Sequence, residues 1–274
     1  MEEISQRSGY KIHTKDLIVL EEIEKELGNR FTLDTQISNA GFSTVIKFKR
    51  IAELGIIGFD ANTIVSKLKE FDRLRTLRLE RCRLQSIPEI NDQLEIIQVM
   101  DNEITGNLEI TGEKMLHIDL HGNQIRELSV RKSPVKILNL SNNELSRFPD
   151  ISFTVLSLDL RNNLIEEIPS DIAIRYPHLR MLHLDGNHIT KLPVFPDSLQ
   201  VLTVSRNDLR GSISLTASKL RRLEISANKI RRLSGNSSSI EFLSARSNQL
   251  SSIHFDTVPE KLILDDNVET VFEH

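Results

Sequence analysis

The stretch Val135-Lys136-Ile137-Leu138-Asn139-Leu140-Ser141-Asn142-Asn143-Glu144-Leu145 decides how this chain is read. Apolar side chains stand at its first, fourth, sixth and eleventh places, and an asparagine at its ninth. Alternate side chains of a strand point to opposite faces. Leu138 and Leu140 therefore enter a core, and Ile137 and Asn139 face outward. As the chain turns off the strand, Asn143 points inward. There its amide can bond backbone groups that would otherwise be buried unpaired.

The pattern returns on Leu179-Leu182-Leu184-Asn187-Ile189 and on Leu220-Leu223-Ile225-Asn228-Ile230. Its anchor falls at Asn62, Cys82, Asn102, Asn123, Asn143, Asn163, Asn187, Asn207, Asn228, Asn248 and Asn267, with steps of 20, 20, 21, 20, 20, 24, 20, 21, 20 and 19. A fixed period of this length marks a solenoid, in which each coil adds one short strand to a parallel sheet. From about Ile51 to the end, the chain resembles the leucine-rich-repeat family, with the short repeats of prokaryotic members. The resemblance implies an α/β solenoid, a curved right-handed superhelix with a concave parallel β-sheet. Family members also carry Cys at the anchor, so Cys82 reads as a ladder residue rather than a reactive thiol.

The eleven-residue motif leaves nine or ten residues for each return. A full helix needs more, so the convex side is expected to be mostly extended or single-turn 3₁₀. Phe148-Pro149, Ile168-Pro169 and Leu192-Pro193 agree, because proline blocks helix continuation. The 24-residue repeat has room for a helical turn over 170–176, with Ser170 as its cap. Gly106 and Gly211, each followed by an apolar residue, resemble the plant-type repeat, which implies a second short strand beside the first. These glycines are 105 positions apart, as are Cys82 and Asn187, Asn102 and Asn207, and Asn123 and Asn228. Gln124-Ile125-Arg126-Glu127-Leu128-Ser129 likewise parallels Lys229-Ile230-Arg231-Arg232-Leu233-Ser234. We read a duplicated module of five repeats whose outward positions were not kept.

Residues 1–50 are expected to form an N-terminal cap and 51–274 the repeat array, with a degenerate last repeat. Thr14–Leu27 reads as a helix with Leu17, Leu20, Ile23 and Leu27 on one face, Thr14 as N-cap and Gly28 as stop. Extended pieces around Phe31–Ile37 and Phe42–Ile51 follow. This order resembles the N-terminal caps of some prokaryotic repeat proteins.

The chain has 274 residues, 39% of them hydrophobic, which is ample for a core. Its formal net charge of −4 argues against nucleic-acid binding through overall charge. Its single cysteine, Cys82, cannot form an intrachain disulfide and suits a reducing compartment. The start, Met1-Glu2-Glu3-Ile4, does not read as a secretory signal, and no apolar run of about 18 residues offers a membrane span. A cytoplasmic monomer is expected.

The expected binding surface is the concave face. Its central column is Gly58, Arg78, Gln98, Asp119, Asn139, Asp159, His183, Thr203, Glu224, Ser244 and Ile263. The column two residues earlier is Ile56, Thr76, Ile96, His117, Ile137, Ser157, Met181, Val201, Arg222, Phe242 and Lys261. Six of these eleven, Ile56, Ile96, Ile137, Met181, Val201 and Phe242, are large and apolar. A face left to water should carry fewer, so the expectation is a contact stripe anchored by Met181 and Phe242 and rimmed by polar residues. From both columns, Arg78, Gln98, His117, Asp119, Asn139, Asp159, Met181, His183, Val201, Arg222, Glu224 and Phe242 are the candidate partner-binding residues.

His117, Asp119 and His121 alternate along one strand, and Asp159, His183 and Asp185 follow nearby; imidazole and carboxylate are zinc or nickel donors. At about 4.8 Å per strand, however, Asp119 and Asp159 would lie too far apart to share an ion. A polar binding patch is the better reading, and neither metal nor cofactor is implied. Arg206, Arg210, Lys219, Arg221, Arg222, Lys229, Arg231 and Arg232 form a basic cluster suited to an acidic partner or an ordinary solvated flank. No phosphate-binding loop, G-x-S-x-G or H-E-x-x-H is present, and an open sheet lacks the cleft an acid/base pair requires. The reading is a non-enzymatic protein-binding module. The alternatives are a sensor region of a larger signalling protein or an effector acting in a host.

Overall fold

The computed structural model describes residues 4–38, 41–89, 91–235, 239–266 and 268–272. They group into two compact units, Met1–Ile125 with Lys132–Val135, and Arg126–Arg131 with Lys136–His274.

The first unit begins with an antiparallel hairpin, Ile4–Arg7 with Tyr10–His13, and a helix over Thr14–Leu27. Leu17, Leu20 and Ile23 are buried as their spacing requires, and Gly28 closes the helix in the left-handed conformation at φ 66°. The N-cap is His13, not Thr14, and no side chain caps the helix. Thr14 is already helical, and its hydroxyl bonds Ser5 Oγ at 3.1 Å instead. Two ion pairs tie the helix down. Asp16, buried to 1%, accepts from Arg50 at 2.9 Å and from the Ile51 N–H at 2.8 Å. Glu24 accepts from Arg7 at 2.6 Å and from the Phe31 N–H at 2.7 Å.

The unit's main sheet runs Thr32–Asp34, Phe42–Lys47, Arg50–Ile57, Thr76–Glu80, Ile96–Gln98 and His117–Asp119. Phe42–Lys47 and Arg50–Ile57 are antiparallel; the later neighbours are parallel. This antiparallel start changes the first repeat. Its strand pairs Gly55 with Arg78 and Ile56 with Leu79, so Ile56 is fully buried core, not part of an outward stripe. Gly58 sits past the strand at φ 80° and does not join the central column. Asn62 is likewise exposed: its amide bonds Asp60 and the Arg83 carbonyl, and Ala61 takes the buried place. The sequence period extrapolates a standard coil here, whereas the neighbouring antiparallel strand sets the register.

The second unit carries seven parallel strands in register: Ile137–Asn139, Ser157–Asp159, Met181–His183, Val201–Thr203, Arg222–Glu224, Phe242–Ser244 and Lys261–Ile263. Their middle leucines are buried to 1% or less wherever a further strand follows. The asparagine ladder holds the coils. Asn187 donates to the Leu160 and Leu184 carbonyls at 2.9 and 3.0 Å and accepts from Ile165 N–H at 3.0 Å. Asn163, Asn207, Asn228 and Asn248 repeat the scheme, as do Asn102 and Asn123 in the first unit. Cys82 substitutes a thiol that donates to the Ile56 carbonyl at 3.2 Å, and burial pushes its pKa up to about 11. Asn267 lies outside the described residues.

The turn before the anchor carries a left-handed residue on coil after coil, among them Arg81, Asp101, Asn142, Asn162, Arg206, Ala227 and Ser247, with φ between 51° and 56°. No one residue type marks this place, so the sequence hides it.

The return segments divide by composition. Val65–Glu70 is 3₁₀ and Ile172–Arg175 is one helical turn, whose N-cap is Asp171 rather than Ser170. Thr105–Glu109 and Arg210–Leu215, each with its glycine at positive φ, are strands, as the glycine repeats led us to expect. The second sheet then runs further than those two repeats. In the second unit Arg210–Leu215, Lys229–Gly235, Ser252–Phe255 and Glu269–Phe272 form four parallel strands. Among the described residues, the coils carrying Pro149, Pro169 and Pro193 form no return strand beyond one isolated bridge between Ser129 and Asp150, since proline has no N–H to give a ladder.

Candidate functional site

The candidate residues fall on both units. On the first, Thr76, Ile96 and His117 are aligned, and so are Arg78, Gln98 and Asp119. Apart from Ile96 this face is polar, and it is internally paired. Arg78 donates to Glu80 at 2.6 Å. His121 Nδ1 meets Asp119 Oδ1 at 2.8 Å, which raises the His121 pKa, chiefly through that hydrogen bond. His117, on the same strand as Asp119, is shifted down because burial disfavours its charged form.

On the second unit the outer column is Asn139, Asp159, His183, Thr203, Glu224, Ser244 and Ile263. Asp159 holds Arg161 through Nε at 3.0 Å. Thr203 donates its one hydroxyl proton to Asp185 and lies 3.1 Å from His183 Nδ1. An Nδ1–H tautomer of His183 would complete this chain by donating to Thr203 Oγ1. Burial lowers its pKa.

The other column of this unit is Ile137, Ser157, Met181, Val201, Arg222, Phe242 and Lys261. Ile137 and Met181 are 45% and 40% exposed, so this column does not face the core. Phe242 is less bare than its residue type suggests. Arg222 lies 4.0 Å from its ring centroid and Lys261 5.4 Å, contributed by the strands on either side. Arg222 is itself held by Glu224 at 2.6 Å. The candidate residues had omitted Ile137 and Lys261, although both belong to the column; the alignment of Lys261 with Phe242 was the signal available.

The basic cluster does not converge. Arg222 faces out from the main sheet, whereas Arg210, Lys229 and Arg232 sit on the return sheet. Arg221 pairs with Glu241 at 3.3 Å, and Lys229 with Asp208. Among the described residues, no group of three or more His, Cys, Asp or Glu is placed to hold a metal ion.

A leucine-rich-repeat family model matches residues 133–189, the segment that contains the opening motif. The chain is a leucine-rich-repeat protein. Among solved structures, it is similar to YopM from Yersinia pestis, described as a leucine-rich effector protein. The TM-score there is 0.61 at 21% identity, covering 80% of this chain and 61% of that one. It is also similar to a chain of an octameric complex of Latrophilin 3, Unc5D and FLRT2 (LRR), with TM-score 0.53, 19% identity and coverage of 78% and 79%. Among curated proteins, it is 29% identical over 144 residues to Protein PAC2 of Saccharomyces cerevisiae, covering 44% of this chain and 26% of that protein. This leucine-rich-repeat protein thus spans about a quarter of PAC2. No helix among its described residues is long and apolar enough to cross a membrane.

Proposed function

We propose that this leucine-rich-repeat protein is a non-catalytic module that binds another protein through the open face of its parallel sheet. The observation that carries the reading is the Ile137–Met181–Val201–Phe242 row. A strand face open to water has no folding reason to place four large apolar groups in one column of six coils, interrupted only by Ser157 and Arg222, and exposed apolar surface marks contact sites. Arg78, Gln98, His117 and Asp119 supply polar contacts on the first unit; Asn139, Asp159, His183, Arg222 and Glu224 do so on the second. Commitment of the only cysteine to the ladder suits action in a reducing compartment such as the cytoplasm.

The test is quantitative capture of partners by the wild type, a Met181→Ala/Phe242→Ala variant and a return-side control, Ile174→Ser. The double variant should lose at least tenfold in affinity for the principal captured protein, and Ile174→Ser should lose nothing. Equal capture by all three would remove the open face from consideration.

A further inference from the structure

The outward row of the second unit is not chemically uniform along its length. It starts with Ile137, Ser157, Met181 and Val201, apolar but for the one serine, and ends in Arg222, Phe242 and Lys261. Both cations of that end lie over one aromatic ring, at 4.0 and 5.4 Å. They differ in one respect. Arg222 is neutralised by Glu224 at 2.6 Å, whereas Lys261 takes part in no ion pair among the described residues and is exposed. The row therefore offers an apolar stripe that terminates in an available ammonium held beside a half-buried phenyl ring.

We propose that this row binds an extended peptide segment laid across the strands, its aliphatic side chains on Ile137, Met181 and Val201 and an acidic side chain on Lys261. The proposal rests on the open-face reading above and adds the chemistry of the occupant. Spacing gives its length. Strands lie about 4.8 Å apart, so six steps from Ile137 to Lys261 cover about 29 Å. An extended peptide advances about 3.4 Å per residue and turns every second side chain to the sheet. Nine residues span the row. Aliphatic side chains at the first, third and fifth places meet the apolar end, and a carboxylate at the ninth reaches the cationic one. Its charge is met by an ammonium already held 5.4 Å from the ring centroid, so less side-chain freedom is lost on binding.

The probe is a fluorescein-labelled nonapeptide amide with leucine at the first, third and fifth places, glutamate at the ninth and serine elsewhere. A twin carries glutamine at the ninth. Fluorescence anisotropy on the full chain should show the glutamate peptide binding at least fivefold more tightly than its twin. Lys261→Ala should abolish that difference without changing affinity for the glutamine peptide, and Met181→Ser should weaken both peptides. Equal affinity of the two peptides, with both lost in Met181→Ser, would overturn the carboxylate assignment and leave the open-face reading standing. Binding that is indifferent to Met181→Ser, or no binding of either peptide at millimolar concentration, would overturn the proposal from the apolar end.

Discussion

The outward faces of the two units are built on the same interior and share a polar column, but the column beside it differs, mostly polar on the first unit and rich in large apolar groups on the second. Inside, Asn102 and Asn123 of the first unit make the same amide-to-backbone bonds as Asn187 and Asn207 of the second. Outside, the first unit shows Arg78, Glu80, Asp119 and His121 paired among themselves. The second shows Ile137, Met181 and Val201 ending in a cation-flanked ring. The interior is fixed by packing and by backbone groups that must be bonded. The outer positions carry neither demand, so their chemistry can be set by what they meet.

The largest expected effect probes the interior against the face. Asp16→Ala strips a buried carboxylate from Arg50 and the Ile51 N–H and should cost about 4 kcal/mol in urea unfolding. Asp159→Ala removes an ion pair to Arg161, whose side chain is 49% exposed, and should cost about 1 kcal/mol or less. Similar values for the two would erase the distinction. Next comes the ladder: Asn187→Ala leaves the Ile165 N–H without its acceptor and takes one of two amide donors from each of the Leu160 and Leu184 carbonyls, and should cost about 2 kcal/mol. Asn62→Ala, at the surface anchor of the first repeat, should cost under about 0.5 kcal/mol.

A third comparison is electrostatic. His121 should titrate above 6.5, because its hydrogen bond to Asp119 favours the charged ring, and His183 below 6.5, because burial disfavours it. The raised value makes the His121 contribution fully present below about 6.5 and lost as pH rises through its folded pKa. The lowered value makes the His183 contribution present above about 6.5 and lost as pH falls through its folded pKa. Histidine NMR titration that inverted the order would contradict both environments. The smallest effect lies in the turns. Ala227 holds φ 55°, where an L-residue is strained, so Ala227→Gly should gain about 0.5 kcal/mol.

Much of this was legible in the residues. The spacing of asparagines located the ladder, and from Arg78 onward the L-x-L pattern assigned each outward residue to the column the sheet shows. The paired glycines marked the return strands, which begin at Thr105 and Arg210. Misplacements gathered at the edges of the period. Ile56 and Asn62 were assigned by extrapolation into a coil whose register belongs to Phe42–Lys47. Thr14 and Ser170 were read as caps from residue type alone, which does not say where the first helical hydrogen bond closes.

The sequence by itself determined the solenoid, its ladder and the direction of nearly every strand side chain, because a period of two within a period of about twenty admits one burial pattern. Only the tertiary structure decided what those outward side chains do to one another. That Arg222 and Lys261 close on Phe242, that Thr203 joins His183 to Asp185, and that the return sheet extends to Glu269–Phe272 depend on neighbouring coils lying side by side. Such contacts are made between residues about twenty positions apart, where local propensity carries no information.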